Sequence, residues 1–461
     1  MRAVSTGGWK QYVAEAVALS SVVLSTACVR TMRNTPTTAM PAPVETGPAI
    51  TVGDLERRLS IVADDSMMGR ETGSQGDYKT AAYVAAEFER IGLEPAGEHG
   101  TYFQTVPFWS AAMDPRTRIV TRAGTLAAAK DLLQLPTGAA PRTLDGTRVL
   151  YGGRLADSAN WAAPSLAAGK IVVLDVPLGG ERHIPVSASR WPGAVAIAVS
   201  VLDQVGSETR SRIIEGVPVP DSTVDAALPS RLYITHSAEL MLLGAAPESL
   251  APGTVRGPVQ GFVAVTIRPV SFPARNVIAV LRGSDPAMRE EYVSLTAHND
   301  HVGFDHSPVD HDSLRAFNRV MRPMGADSPV RDPGSTEWTQ IHAILDSLRR
   351  LRPPRADSIR NGADDDGSGT VSLLEIAEAL ASQKPRPRRS ILFVSHTAEE
   401  AGLLGSQYYT DHPTVPVDSI IGEIDQDMVG RGTATDFPIG GVGAGGPAYL
   451  EVVGASRLSR A

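Results

Sequence analysis

The chain has 461 residues, 42% hydrophobic and 20% charged, with a formal net charge of −8 that is not broken by any long basic run. That length predicts two folded units plus a tail, the composition excludes a fibrous or wholly disordered protein, and the missing basic patch argues against nucleic acid as a partner. A single cysteine, Cys28, excludes an intrachain disulfide.

Arg2 and Lys10 precede a mostly apolar run over 14–27 that ends at Cys28. A positive start and a short apolar stretch predict an export signal over 1–28, too short and too weakly apolar to span a membrane. Leu24-Ser25-Thr26-Ala27-Cys28 also resembles a lipoprotein processing site, with its large aliphatic residue one place early. Two outcomes stay open for an exported chain: a lipid anchor on Cys28 in the cell envelope, or release. Residues 29–50, rich in Thr, Pro and Ala, read as a flexible linker.

A first part of the main domain follows over 51–123. Leu55, Leu59, Ile61 and Val62 have helical spacing, as do Ala81, Ala82, Val84, Ala85, Phe88 and Ile91, where Gly92 supplies a stop. Residues 101–108 read as extended. Over 124–266 the texture changes to short β-type runs between Gly, Pro and Ala loops, without a dense cluster of acids or histidines. This predicts a separate small β-rich insert. The main domain resumes over 267–461 with apolar runs at 276–281, 292–297, 390–395 and 419–424. Such runs suit a sheet buried on both faces, which binds ligands at the carboxyl ends of its strands. The stretch 338–351, with Ile341, Ile344, Leu345 and Leu348 on one face, predicts an additional helix, either a cover or a border of the cleft.

Polar clusters sit at the strand ends: His298-Asn299-Asp300-His301, His396-Thr397-Ala398-Glu399-Glu400 and Asp425-Gln426-Asp427-Met428. Between the first two lies Asn361-Gly362-Ala363-Asp364-Asp365-Asp366-Gly367-Ser368-Gly369, a tight acidic loop opening into a helix. Adjacent like charges repel and glycines lose backbone entropy on folding, so the loop calls for a cation to offset both. A histidine leaving a strand with a carboxylate two places on suits a metal ligand and its orienting partner. Read blandly, Glu399 and Glu400 are acids at the start of a helix beginning near Ala401. Asp364 and Asp366 read as caps or braces of the loop, and His301 and His396 as pocket or packing residues.

In combination these motifs closely resemble the secreted co-catalytic dinuclear zinc exopeptidases: bacterial leucyl aminopeptidases, aminopeptidase Y and glutamate carboxypeptidase. The resemblance runs from Gly69-Arg70 to Asp427-Met428-Val429-Gly430. It implies a three-layer α/β/α zinc-exopeptidase sheet of the phosphorylase/hydrolase-like type. Gly169-Lys170-Ile171-Val172-Val173-Leu174 resembles the protease-associated domain inserted in several exopeptidases, in a structural or a substrate-gating role. The resemblance further implies two zinc ions, the first held by His298 and Asp427, the second by Glu400, with Asp365 bridging both and joined to its successor by a cis peptide bond. Asp300 stands behind His298, and Glu399 is the general base that activates water against a peptide substrate.

The resemblance places one more second-site ligand, a histidine, well beyond the Asp-Met motif, and no residue after Asp427 is a histidine. Past an apparent strand at 446–453 the chain looks cut off before the last elements of that fold. The leading expectation is a zinc-dependent exopeptidase acting on the N-terminal residue of peptides. A carboxypeptidase or other amidohydrolase on the same scaffold, and an inactive binding or surface protein, remain alternatives.

Overall fold

The computed structural model describes residues 40–136, 140–177, 179, 190–220, 227–323, 328, 331–354 and 356–430. The expected export signal, Cys28, the first half of the linker and the expected strand at 446–453 lie outside the described residues. The end of the linker is pinned down: the Val44 N–H donates to Glu87 Oε1 at 2.6 Å and the Thr46 hydroxyl to Glu378 Oε2 at 2.5 Å.

The apolar runs pair into a mixed sheet. Ala274–Leu281 lies antiparallel to Ser390–His396, which runs parallel to Tyr292–His298, which runs parallel to Ile420–Asp425. Phe103–Val106 and Glu94–Pro95 both pair with Ala274–Leu281. Every residue of Ala274–Leu281 and Ser390–His396 is buried, which requires cover on both faces. On one face Val277, Ala279 and Phe393 pack under Val84, Phe88, Leu373 and Leu374 from the helices Gln75–Ile91 and Gly369–Ser382. On the other, Ile278, Val280, Leu392 and Val394 meet Tyr409 of the helix Leu404–Asp411. This is the period-two alternation of a strand sorting its side chains between two layers.

The helix Gln75–Ile91 begins where the Ser74 hydroxyl accepts from the N–H groups of Gly76 and Asp77, and ends at Gly92 with φ 84°. It is locked to the helices Val52–Val62 and Gly369–Ser382 through Arg58, which is fully buried and pairs with Glu87, Glu375 and Glu378 at 3.2, 3.0 and 2.7 Å. Arg90 adds a second cation on Glu87 and Glu378. Removing Arg58 would leave buried carboxylates facing one another. Arg58→Met is therefore expected to cost about 3–5 kcal/mol, read as a lower denaturant midpoint at unchanged slope.

The insert is larger than expected. Its eight-stranded sheet exceeds the six strands of the central sheet, and it already includes Arg118–Thr121, ahead of the expected start at 124. It also carries the helices Ser207–Glu215 and His236–Leu243. Phe108–Met113, Val217–Pro220 and Val265–Pro269 form a three-stranded sheet beside it. The helix expected over 338–351 is Ser335–Arg349, and it packs Ile341, Ile344 and Leu345 on Ala316 and Met321 of the helix His311–Met321. That satellite core favours the covering role. No helix among the described residues is long and apolar enough to cross a membrane.

Candidate metal centre and active site

The three parallel strands end together. His298 stands opposite His396, and Thr296 opposite Asp425, so the segments that follow them converge beside the acidic loop. The loop is a wide helical turn over Ala363–Ser368 leading into the helix Gly369–Ser382, and the peptide bond joining Asp365 to Asp366 is cis. Glycine is required at its start: Gly362 has φ 56°, and a Cβ there would stand 2.3 Å from the Asp365 carbonyl oxygen and 2.6 Å from Arg70 Nη2.

All six expected site residues come together. His298 Nε2 lies 3.2 Å from Asp365 Oδ1, 3.7 Å from Asp427 Oδ1 and 3.8 Å from Glu399 Oε2. Its Nδ1 lies 3.4 Å from Asp300 Oδ1. Asp300, fully buried, accepts from the N–H groups of Glu399 and Glu400 at 3.0 and 3.3 Å and from the Thr72 hydroxyl at 3.0 Å. One carboxylate thus sets both the imidazole and the backbone carrying the two glutamates. These glutamates are not helix-start acids, because the helix after them begins only at Leu404.

Of the two roles expected of His301, pocket or packing, the structure gives it the first. Its Nδ1 is 2.6 Å from Glu400 Oε1, and ligand-capable atoms of His301, Asp365 and Glu400 lie within 4.8 Å of one another. Asp365 therefore faces His298 on one side and the His301–Glu400 pair on the other. Asp366 also comes near His298 and Asp427, but its oxygens already accept from the N–H groups of His298, Gly369 and Met428 at 3.1, 2.8 and 3.1 Å. It braces the loop, as does Asp364, which accepts from the Gly430 N–H at 3.1 Å.

The electrostatics favour a cation. Burial pulls the His298 imidazole down, but Asp300, Asp365 and Asp427 outweigh it and leave its pKa raised. Burial pushes Asp366 up to about 8 and raises Glu399, where Asp300, Glu400 and Asp427 add to the effect. Both ring nitrogens of His298, with His301 Nδ1 and Glu400 Oε1, are shut off from solvent and face one another and the neighbouring carboxylates only at ion-pair distances. Imidazole nitrogens and carboxylate oxygens left this way form a zinc-type donor set. His396 is a packing residue: it is buried, held down to about 4 chiefly by desolvation, and its ring meets Tyr409 edge-on at 6.0 Å.

Residues 276–453 match the model of Peptidase family M28. Among the chain's relatives, leucine aminopeptidase 1 of Penicillium rubens is 36% identical over 118 residues, 24% of this chain and 30% of that protein. Leucine aminopeptidase 1 of Coccidioides posadasii is 41% identical over 104 residues, 21% of this chain and 26% of that protein. The chain thus spans about 30% or less of these curated relatives. An aminopeptidase from Aneurinibacillus sp. strain AM-1 aligns in structure over 83% of this chain and 72% of that one, at 17% identity and a TM-score of 0.45.

Sequence reasoning missed Arg70, which anchors the loops of the centre from beneath. It is fully buried and donates through Nε to the Asn299 carbonyl at 3.1 Å, and through Nη1 to Val62 at 3.0 Å and to Asn361. Its Nη2 donates to Gly362 at 2.9 Å and Asp365 at 3.3 Å. It also missed Thr370, whose hydroxyl donates to the His298 carbonyl at 2.6 Å. No spacing in the chain marks either residue, since each acts on segments remote from it in sequence.

Proposed function

We propose that the protein is an exported, zinc-dependent aminopeptidase whose two metal positions share Asp365. The observation that carries this reading is the convergence of His298, Asp427 and Asp365 on one side, and Asp365, Glu400 and His301 on the other, around an uncommitted Glu399. Bound zinc would supply Lewis acidity toward the scissile carbonyl and toward water. The chain's own part is to hold the donors in place through Asp300, Asp366 and Arg70 and to take and return a proton at the Glu399 carboxylate.

Charge favours an N-terminal substrate end. A cavity of about 160 Å³ opens beside His298 and Glu399, lined also by Leu403, Glu423 and Asp425, with no Lys or Arg among its described residues. An ammonium is at home beside Glu399, Glu423 and Asp425, whereas a C-terminal carboxylate would meet these acids with no Lys or Arg to pair with. The insert reads as a protease-associated domain that borders the substrate path: a cleft of about 640 Å³ lies between Arg212 and Glu215 of its helix and Val302, Phe304 and Asp305, just past His301. Export rests on residues 1–28, and a mass measurement of the mature N-terminus would show whether Cys28 carries lipid.

The reading is tested with the zinc-loaded full chain. Leucine p-nitroanilide should be cleaved, its N-acetylated form and an N-blocked dipeptide with a free carboxylate should not, and chelation should abolish turnover. His301→Ala should lower zinc bound by the central site by one equivalent. Cleavage of the N-blocked dipeptide alone would make the enzyme a carboxypeptidase, and no hydrolysis of any of the three would sink the enzymatic reading.

A further inference from the structure

We propose that the insert carries a metal site of its own, in which Asp175, His236 and Glu239 bind a divalent cation of the zinc class. In sequence these residues are scattered through a region that shows no dense cluster of ligands. Folding collects them. The strands Lys170–Asp175, Ala196–Val199 and Ser230–Ile234 run parallel as neighbours, so their carboxyl ends lie side by side. Asp175 closes the first strand, while His236 follows the third and opens the helix His236–Leu243. Glu239 lies one helical turn on, at the spacing that puts two side chains on the same face.

One ligand-capable atom from each of the three lies within 4.8 Å of the others. His236 Nδ1 and Glu239 Oε2 are 3.1 Å apart, close to the roughly 3.3 Å between two donors placed tetrahedrally around zinc at about 2.0–2.1 Å. Glu239 is fully buried, and apart from His236 Nδ1 the polar group near its carboxylate is the Ser200 hydroxyl, which leaves one small donor against a buried charge. Buried carboxylates are retained where they are paired, protonated or on a metal.

Pairing is thin here. The cation nearest Asp175 is Arg154, whose Nε is 3.3 Å from Oδ2 and whose side chain is 48% exposed. Glu248 adds further negative charge, and burial together with Asp175 pushes Glu239 up to about 8. A plain ion pair between His236 and Glu239 would engage one oxygen and leave Asp175 to the exposed guanidinium. One dication serves all three. The imidazole nitrogen selects a zinc-class ion over calcium or magnesium, which take oxygen ligands. The site would clamp the helix to the end of the sheet.

The full chain is stripped with chelator, loaded with zinc, freed of excess and analysed for metal. Asp175→Asn, His236→Ala and Glu239→Gln should each bind one equivalent less than the parent, with leucine p-nitroanilide hydrolysis at the parental rate. That pattern separates this site from the catalytic one, where loss of metal removes activity. Should a variant fail to fold, anomalous diffraction at the zinc edge from the loaded parent decides without mutation. A peak at about 2.0–2.2 Å from His236 Nδ1 is expected. Unchanged stoichiometry in folded variants, or no peak there, overturns the proposal.

Discussion

Replacing Glu399 by glutamine is expected to lower kcat by about 10²–10⁴-fold while leaving bound zinc and KM close to parental. The side chain belongs to neither cluster of candidate metal ligands: the His298 group takes Asp427 and the His301 group takes Glu400. Its backbone N–H is held by Asp300, so the variant keeps its position. A carboxamide matches the carboxylate in shape and accepts hydrogen bonds, but it cannot take a proton near neutrality. Burial raises the Glu399 pKa, with Asp300, Glu400 and Asp427 adding to the rise and His298 opposing it. The parent should therefore lose activity as pH falls through that raised value, and the variant's residual rate should lack this acidic limb. Zinc analysis beside steady-state kinetics separates a lost base from a lost ligand. Full activity in the zinc-loaded variant would remove Glu399 from the chemistry.

Much of the candidate centre was legible because its candidate ligands leave the strands in short clusters. A strand buried at every position announces itself as an apolar run, and the polar residues after it stand out by contrast, as at His298, Glu399, Glu400 and Asp427. The acidic loop was legible for a different reason: its charge and glycines make it costly without a partner. His301 was read as a pocket or packing residue because nothing local distinguishes it; only the fold puts its Nδ1 beside Glu400. Asp175, His236 and Glu239 were invisible for the same cause, since parallel strands bring together ends that are far apart in sequence. The strand Val255–Val263 was harder to read because it shifts register twice against Arg142–Arg154. Broken alternation weakens the periodic signal that marks a strand.

Arg70→Met is expected to destabilise the demetallated chain by about 3–5 kcal/mol and to weaken zinc binding by about 10–100-fold. Two forces act in opposite directions. Arg70 is a cation close to the acids of the centre, near Asp300, Asp365 and Asp366, so removing it eases repulsion of a metal ion and by itself would tighten binding. Yet its donors fix the carbonyls of Val62, Asn299, Asn361, Gly362 and Asp365, which join the first helix to both ligand-bearing loops. Burial drags the guanidinium down to about 10 even though Asp300, Asp366, Asp365 and Glu400 hold it up, a sign that the cation sits there at a cost. Positioning should prevail, because five carbonyls without their donor must find water in a closed space or shift, and a ligand moved by a fraction of an ångström forfeits the coordination it was aimed at. Lysine is the sharper control. It keeps the charge but offers one point of donation where the guanidinium spreads a planar fork, so Arg70→Lys should resemble Arg70→Met in zinc affinity measured by chelator competition. If the lysine variant binds zinc like the parent, or the methionine variant binds it more tightly, charge rather than positioning is what Arg70 contributes.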